Sequence, residues 1–175
     1  MITIKQAINL LKDGKCVIHP SESIYGFCAD ARLASAAEHI YNLKQRPTHM
    51  SFLVICSLLD MIEPWVILSD EQRQTILSCT HPTTWITHAT EQAPAHLLHH
   101  NTLAFRVTRH PESLLLCEGL GSPLISTSAN ISGTTYNESL IREHFPDTPI
   151  LEGDLGGHAR PSRIIDLITG KCLRD

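Results

Sequence analysis

Long apolar runs, paired cysteines and an excess of basic residues are all missing from this 175-residue sequence. No stretch approaches the roughly 20 apolar residues that a membrane-spanning helix needs. Met1 leads into Thr3 and Lys5, not into a basic stretch followed by an apolar one. We therefore expect a soluble, cytoplasmic protein that does not insert into a membrane.

The cysteines and histidines give little sign of a metal site. Six cysteines are scattered along the chain without a C-x-x-C pair, which argues against a zinc ribbon and a disulfide scaffold and favours reduced, mostly buried thiols. The most conspicuous histidines, at 96, 99 and 100, have no carboxylate or cysteine at ligand spacing. We expect these histidines to form a solvated surface cluster.

The charge balance argues against one class of nucleic-acid-binding protein. Lys and Arg number 14 against 18 Asp and Glu, giving a formal net charge of −4. Bulk attraction to a polyanion is therefore disfavoured, although a local basic cleft is compatible with this average. Neither a Walker A loop nor a G-x-G-x-x-G motif occurs, so nucleotide binding would require another kind of loop.

Helical and strand patterns alternate along the chain. Apolar periodicity and capping residues predict helices at 3–12, 33–44, 58–62, 69–77, 110–117 and 136–144. Short apolar segments predict strands at 16–18, 52–55, 83–87, 103–107, 123–126, 150–151 and 163–168, with a last strand after a turn at Thr169 and Gly170. The order predicts a single α/β domain over 1–175 with a mixed sheet: strands joined by helices would pair in parallel, and the final hairpin would be antiparallel.

Three polar loops follow strongly patterned elements, at 19–27, 44–51 and 126–133. In the second, Lys44 and Arg46 precede Pro47, so both cations are expected to project from one loop, where they suit phosphate or carboxylate. The alternative is that they only offset the dipole at the helix C-terminus.

The other polar segments offer hydrogen-bond donors without charge. Residues 126–133 read STSANISG, which suits an anion-binding loop or, alternatively, a turn that caps the next helix. The first loop carries Ser21, Glu22 and Ser23, which favour recognition of a small polar substrate or a purely structural turn. Ser162 and Arg163 would close a pocket from the far side or lie at an ordinary strand edge.

Five of these segments, in this order and spacing, resemble the YrdC/TsaC family, the threonylcarbamoyl-adenylate synthases, in its short single-domain form. The resemblance extends from about residue 4 to residue 173. The matching segments are HPSESIYG at 19–26, LKQRP at 43–47, LAFRV at 103–107, STSANISG at 126–133 and PSRIID at 161–166.

The resemblance implies a twisted α/β sheet with flanking helices around a concave, locally positive cleft. It also implies a nucleotidyltransferase that joins L-threonine, bicarbonate and ATP into threonylcarbamoyl-AMP with release of pyrophosphate, for threonylcarbamoyladenosine modification of tRNA. ATP would arrive with Mg²⁺ as a substrate, with no permanently bound cofactor. Downstream tRNA-modification transferase proteins would use the product, and direct tRNA binding would be weak.

The family motifs also imply residue roles. Lys44, Arg46, Ser128 and Asn130 match its K-x-R and S-x-N signature, which implies catalysis and nucleotide binding. Positions that contact threonine in the family are matched by Ser21, Ser23, Arg106, Ser126 and Ser162. Three segments differ from the usual pattern: Ser21 replaces a threonine, Met50-Ser51 stands where the family often has Lys or Asn followed by Pro or Gly, and residues 80–82 replace a Pro-Gly-Pro turn.

Two other functions compete with the synthase. One is a non-catalytic module of the same fold that binds duplex RNA or tRNA, although 14 basic residues and 5% aromatics leave little for phosphate contact and base stacking. The other is a carbamoyl transferase that uses carbamoyl phosphate, an activity that the family usually fuses to further domains.

Overall fold

The strands of the computed structural model form one sheet. The structure describes residues 1–158 and 161–175. Its strands are β1 (Val17–Pro20), β2 (Tyr25–Asp30), β3 (Leu53–Cys56), β4 (Thr83–His88), β5 (Thr102–Val107), β6 (Leu124–Ser128), β7 (Arg163–Asp166) and β8 (Lys171–Arg174). They assemble in the order β1-β2-β6-β3-β5-β4-β7-β8.

Five α-helices join and cover these strands: α1 (Ile4–Lys12), α2 (Ala34–Lys44), α3 (Asp70–Ser78), α4 (Pro111–Leu120) and α5 (Ile141–His144). Single 3-10 turns occupy Leu59–Met61, Glu63–Trp65, Ala95–Leu97 and Glu138–Leu140. Capping chemistry sets several boundaries: reciprocal side-chain and backbone hydrogen bonds at Thr3 and Ser69 start α1 and α3. Gly121 ends α4 with a φ of 70°.

The expected mixed sheet is confirmed, but the expected pairing of consecutive strands is wrong. The parallel pairs are β3 with β5 and β4 with β7, and the helix-joined pairs β2 and β3, or β5 and β6, are separated by one strand in each case. The chain therefore crosses over a neighbour before it re-enters the sheet. The terminal hairpin of β7 and β8 is antiparallel, as predicted.

Some predicted elements differ from the observed ones. Residues 25–27 fall in the predicted loop and no element was predicted for 28–30, but residues 25–30 form β2, which pairs with β1 and β6. The helices predicted at 58–62 and 136–144 are reduced to a 3-10 turn and to a 3-10 turn followed by α5. Ile150 and Leu151 make isolated bridges, not a full strand.

Two apolar clusters lie around the sheet. The larger one includes Phe27, Ile40, Phe52 and Phe105, and the smaller one packs α1 and α4 against the opposite face of β1, β2, β3 and β6. Among the cysteines, 16, 28, 56 and 117 are buried free thiols, as predicted, whereas Cys79 is half-buried and Cys172 is exposed. None of the helices in the described part of the chain is long and apolar enough to cross a membrane.

Candidate active site

A polar cavity of about 650 Å³ lies where the β1–β2 loop, β5, β6 and the C-terminal hairpin meet. Seven of the nine predicted site residues line it: Ser21, Ser23, Arg46, Arg106, Ser126, Ser128 and Ser162. The structure therefore brings together residues from all five sequence motifs. The other two, Lys44 and Asn130, are not among the lining residues.

The pairing of β2 with β6 sets the first wall. Gly26 lies opposite Ser128, and Cys28 lies opposite Ser126. A Cβ atom at Gly26 would stand 2.8 Å from the carbonyl oxygen of Thr127, so the strands reach this spacing only with glycine there. Residues 126–128, which we expected in a loop, are thereby fixed in β6.

The Lys44 side chain does not project from the loop, and that expectation is wrong. Only 2% of the residue is exposed, and its ammonium donates hydrogen bonds to the carbonyl oxygens of Ser128 and, at 2.7 Å, of Asn130. The backbone N–H of Ser132 donates to the carbonyl oxygen of Lys44 at 2.8 Å. Burial, helped by nearby Arg46, lowers the pKa of Lys44 to about 8. The ammonium thus fixes the loop that follows β6.

Arg46 reaches the cavity because α2 ends abruptly. Gln45 adopts a left-handed conformation with a φ of 50°, which turns the chain away from the helix axis. The Arg46 guanidinium lies 5.3 Å from the centroid of the Phe52 ring and donates to the carbonyl oxygen of Ser51 at 2.8 Å. This hydrogen bond uses the backbone carbonyl of Ser51, so it does not depend on which side chains occupy positions 50 and 51, where the sequence differs from the family motif.

The S-x-N pair holds its own loop. The Ser128 hydroxyl donates to Oδ1 of Asn130, and Nδ2 of Asn130 donates to the carbonyl oxygens of Ile131 at 3.0 Å and Thr134 at 2.7 Å. Ser128 lines the cavity, whereas the Asn130 amide is engaged within the loop.

A buried ion pair forms the floor of the cavity. Nη2 of Arg106 lies 3.0 Å from Oε2 of Glu22, and the Thr108 hydroxyl donates to Oε1 of Glu22 at 2.8 Å. Burial by itself would raise the pKa of Glu22, but Arg106 and the hydrogen bonds hold it below its usual value. Sequence reasoning placed Glu22 in a recognition loop but did not single out Thr108, which lies 86 residues further along the chain and directly follows β5.

The C-terminal hairpin supplies a residue that sequence reasoning missed. Arg174 lines the cavity and donates from Nε and Nη2 to the carbonyl oxygen of Ser162, at 2.9 and 2.7 Å. The Ser162 hydroxyl lies 3.0 Å from that of Thr84 in β4. No local motif marks Arg174, since its position depends on the pairing of β8 with β7.

The first loop is rigid and closely packed. Both the N–H and the hydroxyl of Ser21 donate to the carbonyl oxygen of Ile24, at 3.1 and 2.6 Å. The N–H of Tyr25 donates to the Tyr136 hydroxyl at 3.0 Å, so Tyr136, another residue that we did not predict, ties the chain after β6 to the loop.

The electrostatic character of the cavity follows from these positions. Three arginines, at 46, 106 and 174, line it, and Glu22 is the acidic residue in the described part of its wall. A local excess of positive charge thus exists in a chain of net charge −4. Such a wall, with hydroxyls between the cations, suits an anionic small molecule.

Two other sequence features lie away from this wall. Residues 80–82, which replace the family turn, line a neighbouring cavity of about 200 Å³ that shares Glu22 with the larger one. The rings of His99 and His100 are 4.2 Å apart, and Nε2 of His96 lies 3.0 Å from the carbonyl oxygen of Ala31. Across residues 1–158 and 161–175, no three His, Cys, Asp or Glu residues are grouped to hold a metal ion.

Comparison with known proteins places this arrangement in context. A family model for Sua5, YciO and YrdC, described as "Telomere recombination", matches residues 9–175. The threonylcarbamoyl-AMP synthase of Hydrogenovibrio crunogenus is 36% identical over 99% of this chain and 98% of its own length. The protein of that name from Klebsiella pneumoniae is 34% identical over 98% and 94%.

Solved structures share the fold. Sua5 of P. abyssi complexed with L-threonine superposes with a TM-score of 0.84 at 25% identity, over 94% of this chain. This chain spans 51% of that Sua5. YciO of E. coli superposes with a TM-score of 0.80 over 98% of this chain and 90% of its own, at 24% identity, which supports the fold alone.

Proposed function

The chain belongs to the Sua5/YciO/YrdC family, and from that premise we propose that it is an L-threonylcarbamoyladenylate synthase. It would form threonylcarbamoyl-AMP and pyrophosphate from L-threonine, bicarbonate and ATP. The observation that carries the proposal is the convergence of Arg46, Arg106 and Arg174 with serine hydroxyls on one cavity. A cavity wall of this kind suits several reactions of anionic substrates, and the near full-length similarity to threonylcarbamoyl-AMP synthases indicates which of them we propose.

The threonine side of the cavity is proposed to be its floor and C-terminal wall. Arg106 would bind the α-carboxylate, since a guanidinium holds a carboxylate with two parallel hydrogen bonds. Ser21, Ser23, Ser126 and Ser162 would contact the remaining polar groups of threonine. Glu22 and Arg106 are buried, so contacts that reach this pair are stronger than they would be in bulk solvent.

The nucleotide side is proposed to be the wall formed by Arg46 and Ser128. Threonine and bicarbonate condense to a carbamate with loss of water, and a carbamate oxygen attacks the α-phosphorus while pyrophosphate leaves. Fixed cations and oriented hydroxyls neutralise the charge that accumulates during this attack, without a covalent enzyme intermediate. Lys44 and Asn130 act on this step through the loop that they hold.

The other partners follow from the reaction. Mg²⁺ would enter with ATP, held mainly by phosphates and water. We also propose that residues 1–175 form one domain, that the protein acts in the cytoplasm, and that downstream transferase proteins deliver the product to tRNA. The RNA-binding module of the same fold is not favoured, because the matched relatives are named as synthases.

The test is pyrophosphate release from ATP with threonine and bicarbonate both present. We expect release that requires all three substrates and Mg²⁺, and that depends on Arg46 and Arg106. Mass spectrometry would identify threonylcarbamoyl-AMP in the same mixture. Pyrophosphate release that does not depend on threonine at saturating ATP and bicarbonate, or release that requires carbamoyl phosphate, would contradict the proposed synthase activity.

A further inference from the structure

The buried carboxylate beneath the cavity has no function in the reaction as assigned above. Glu22 is 6% exposed and Arg106 is 7% exposed, and both contribute to the wall of the larger cavity. A buried charge is costly unless it is paired, and apolar residues in place of a buried ion pair often give equal or greater stability. A role for the pair beyond stability is therefore worth testing.

The contacts divide between the two partners unequally. Oε1 of Glu22 accepts a hydrogen bond from the Thr108 hydroxyl, and Oε2 lies 3.0 Å from Nη2 of Arg106 in an ion pair. Neither Oε2 of Glu22 nor Nε of Arg106 has a hydrogen-bond partner among the described residues, although both atoms are buried. Thr108, directly after β5, thus positions the carboxylate, and the guanidinium takes its orientation from the carboxylate. The backbone of Glu22 is fixed in turn, because its carbonyl oxygen accepts from the N–H of His158 at 3.0 Å.

We propose that Glu22 and Thr108 are positioning residues that orient the Arg106 guanidinium toward the α-carboxylate of the amino-acid substrate. The chain of contacts runs from the Thr108 hydroxyl through Glu22 to Arg106. A guanidinium binds a carboxylate through two hydrogen bonds only when its plane is correctly oriented. If Glu22 and Thr108 no longer hold the Arg106 side chain, Arg106 keeps its charge but its guanidinium is no longer held in that orientation. The inference rests on the proposed function, because it assumes that Arg106 binds threonine.

The test uses Thr108→Val and Glu22→Gln, which remove one hydroxyl or one charge at nearly constant volume. We expect the KM for threonine to rise about tenfold in each, because a hydrogen bond to a charged group is lost, with the KM for ATP nearly unchanged. Thr108→Ser keeps the hydroxyl and should restore the threonine KM. Inhibition by threoninol, which has a hydroxymethyl group in place of the carboxylate, should change less than about twofold.

The fold offers a matched control away from the cavity. Asp30 is a buried carboxylate paired with Arg32 at 2.7 Å and held by the Ser122 hydroxyl at 3.1 Å. Asp30→Asn therefore removes an equivalent charge, and Thr87→Val removes an equivalent buried hydroxyl, which donates to Ile67 at 2.9 Å. We expect both controls to lower thermal stability without raising the threonine KM.

The outcomes separate this inference from the synthase assignment. An active wild-type enzyme whose threonine KM is unchanged in Thr108→Val and Glu22→Gln overturns the positioning role alone. Equal increases in both KM values with a lower melting temperature, as in a merely structural role, also overturn it. An inactive wild-type protein, by contrast, contradicts the proposed function itself.

Discussion

A single ammonium group organises the loop after β6. Lys44 stands at the end of α2, a position where lysine commonly faces solvent and offsets the helix dipole. Here its Nζ is drawn inward by the carbonyl oxygens of Ser128 and Asn130, and it lies 5.7 Å from the centroid of the Phe27 ring. The aromatic face and the carbonyls offset only part of the cost of burying this charge, since the pKa of Lys44 is still lowered to about 8.

Replacing the two cations of the K-x-R motif should separate a structural effect from a catalytic one. Lys44→Met removes a donor from two carbonyl oxygens, of which that of Ser128 still accepts from the N–H of Asn130, so we expect about 1–3 kcal/mol less stability together with lower activity. Arg46→Met removes a half-exposed cation from the cavity wall and should lower kcat/KM with a stability change below about 1 kcal/mol. Urea denaturation and pyrophosphate release measure the two quantities, and equal stability losses in both variants would contradict the distinction.

The pH dependence of activity should follow the protonation of the Lys44 ammonium. Because its pKa is lowered to about 8 from 10.5, the folded protein binds this proton more weakly than the unfolded chain does. As pH rises from about 8 toward 10.5, the ionisation of Lys44 contributes an increase in the free energy of unfolding, because the unfolded chain still binds the proton that the folded protein has released. Over the same range the folded protein loses the ammonium that holds the loop. We expect kcat/KM to fall above pH 8 while the protein stays folded. Lys44→Arg, which retains its charge, should shift this fall to higher pH, and an unchanged profile would contradict the assignment.

The segment from 152 to 158 acts as an element although it has no regular structure. It crosses behind the β1–β2 loop, where the N–H groups of Gly156 and His158 donate to the carbonyl oxygens of Ser21 and Glu22, both at 3.0 Å. The Tyr25 hydroxyl donates to the carbonyl oxygen of Gly153 at 3.0 Å. These contacts fix, from outside the sheet, the loop that forms the proposed threonine side of the cavity.

Gly156→Ala should disturb this packing directly. A Cβ atom would stand 2.9 Å from Cα of Glu22 and 3.0 Å from its carbonyl oxygen, so backbone must move. We expect a loss of about 1–3 kcal/mol in stability, as for overpacking elsewhere, and weaker threonine binding. Gly157→Asn is the control, because open space surrounds that position and asparagine tolerates its φ of 74°. Calorimetric titration with threonine measures both variants, and normal affinity in Gly156→Ala would contradict the packing argument.

Elements with strong local signals were the predictable part of the fold. Capping residues and periodicity located α1 and α3, and the β-branched run at 16–18 located β1 to within two residues. β2 was missed because its burial comes from neighbours on both sides, which a sequence of Tyr, Gly and Cys does not indicate. The site motifs were predictable as a set, whereas Arg174 and Thr108 depend on strand pairing that no local pattern encodes.

At the scale of the whole molecule, average charge and local charge have opposite signs. The chain carries −4, yet the cavity gathers three arginines against one carboxylate. A polyanion such as RNA contacts a broad surface and responds to the charge over about a Debye length, roughly 8–10 Å, whereas a small anion inside a cavity responds to the groups within reach. The distribution therefore favours small anionic ligands over duplex RNA.

This argument predicts how ligands change the stability of the protein. ATP with Mg²⁺ and threonine together should raise the melting temperature more than either alone, and stabilisation should approach about 2.7 kcal/mol at ligand concentrations 100 times the dissociation constant. Duplex RNA at physiological salt should leave the melting temperature unchanged, because it gains few phosphate contacts on an acidic surface. Raising the salt concentration should weaken ATP binding less steeply than RNA binding, because ATP presents far fewer phosphates than a duplex does. A steep salt-dependent stabilisation by RNA, without stabilisation by ATP and threonine, would favour the RNA-binding module over the synthase. Such a result would mean that the positive charge that binds the ligand lies on the outer surface and not in the cavity.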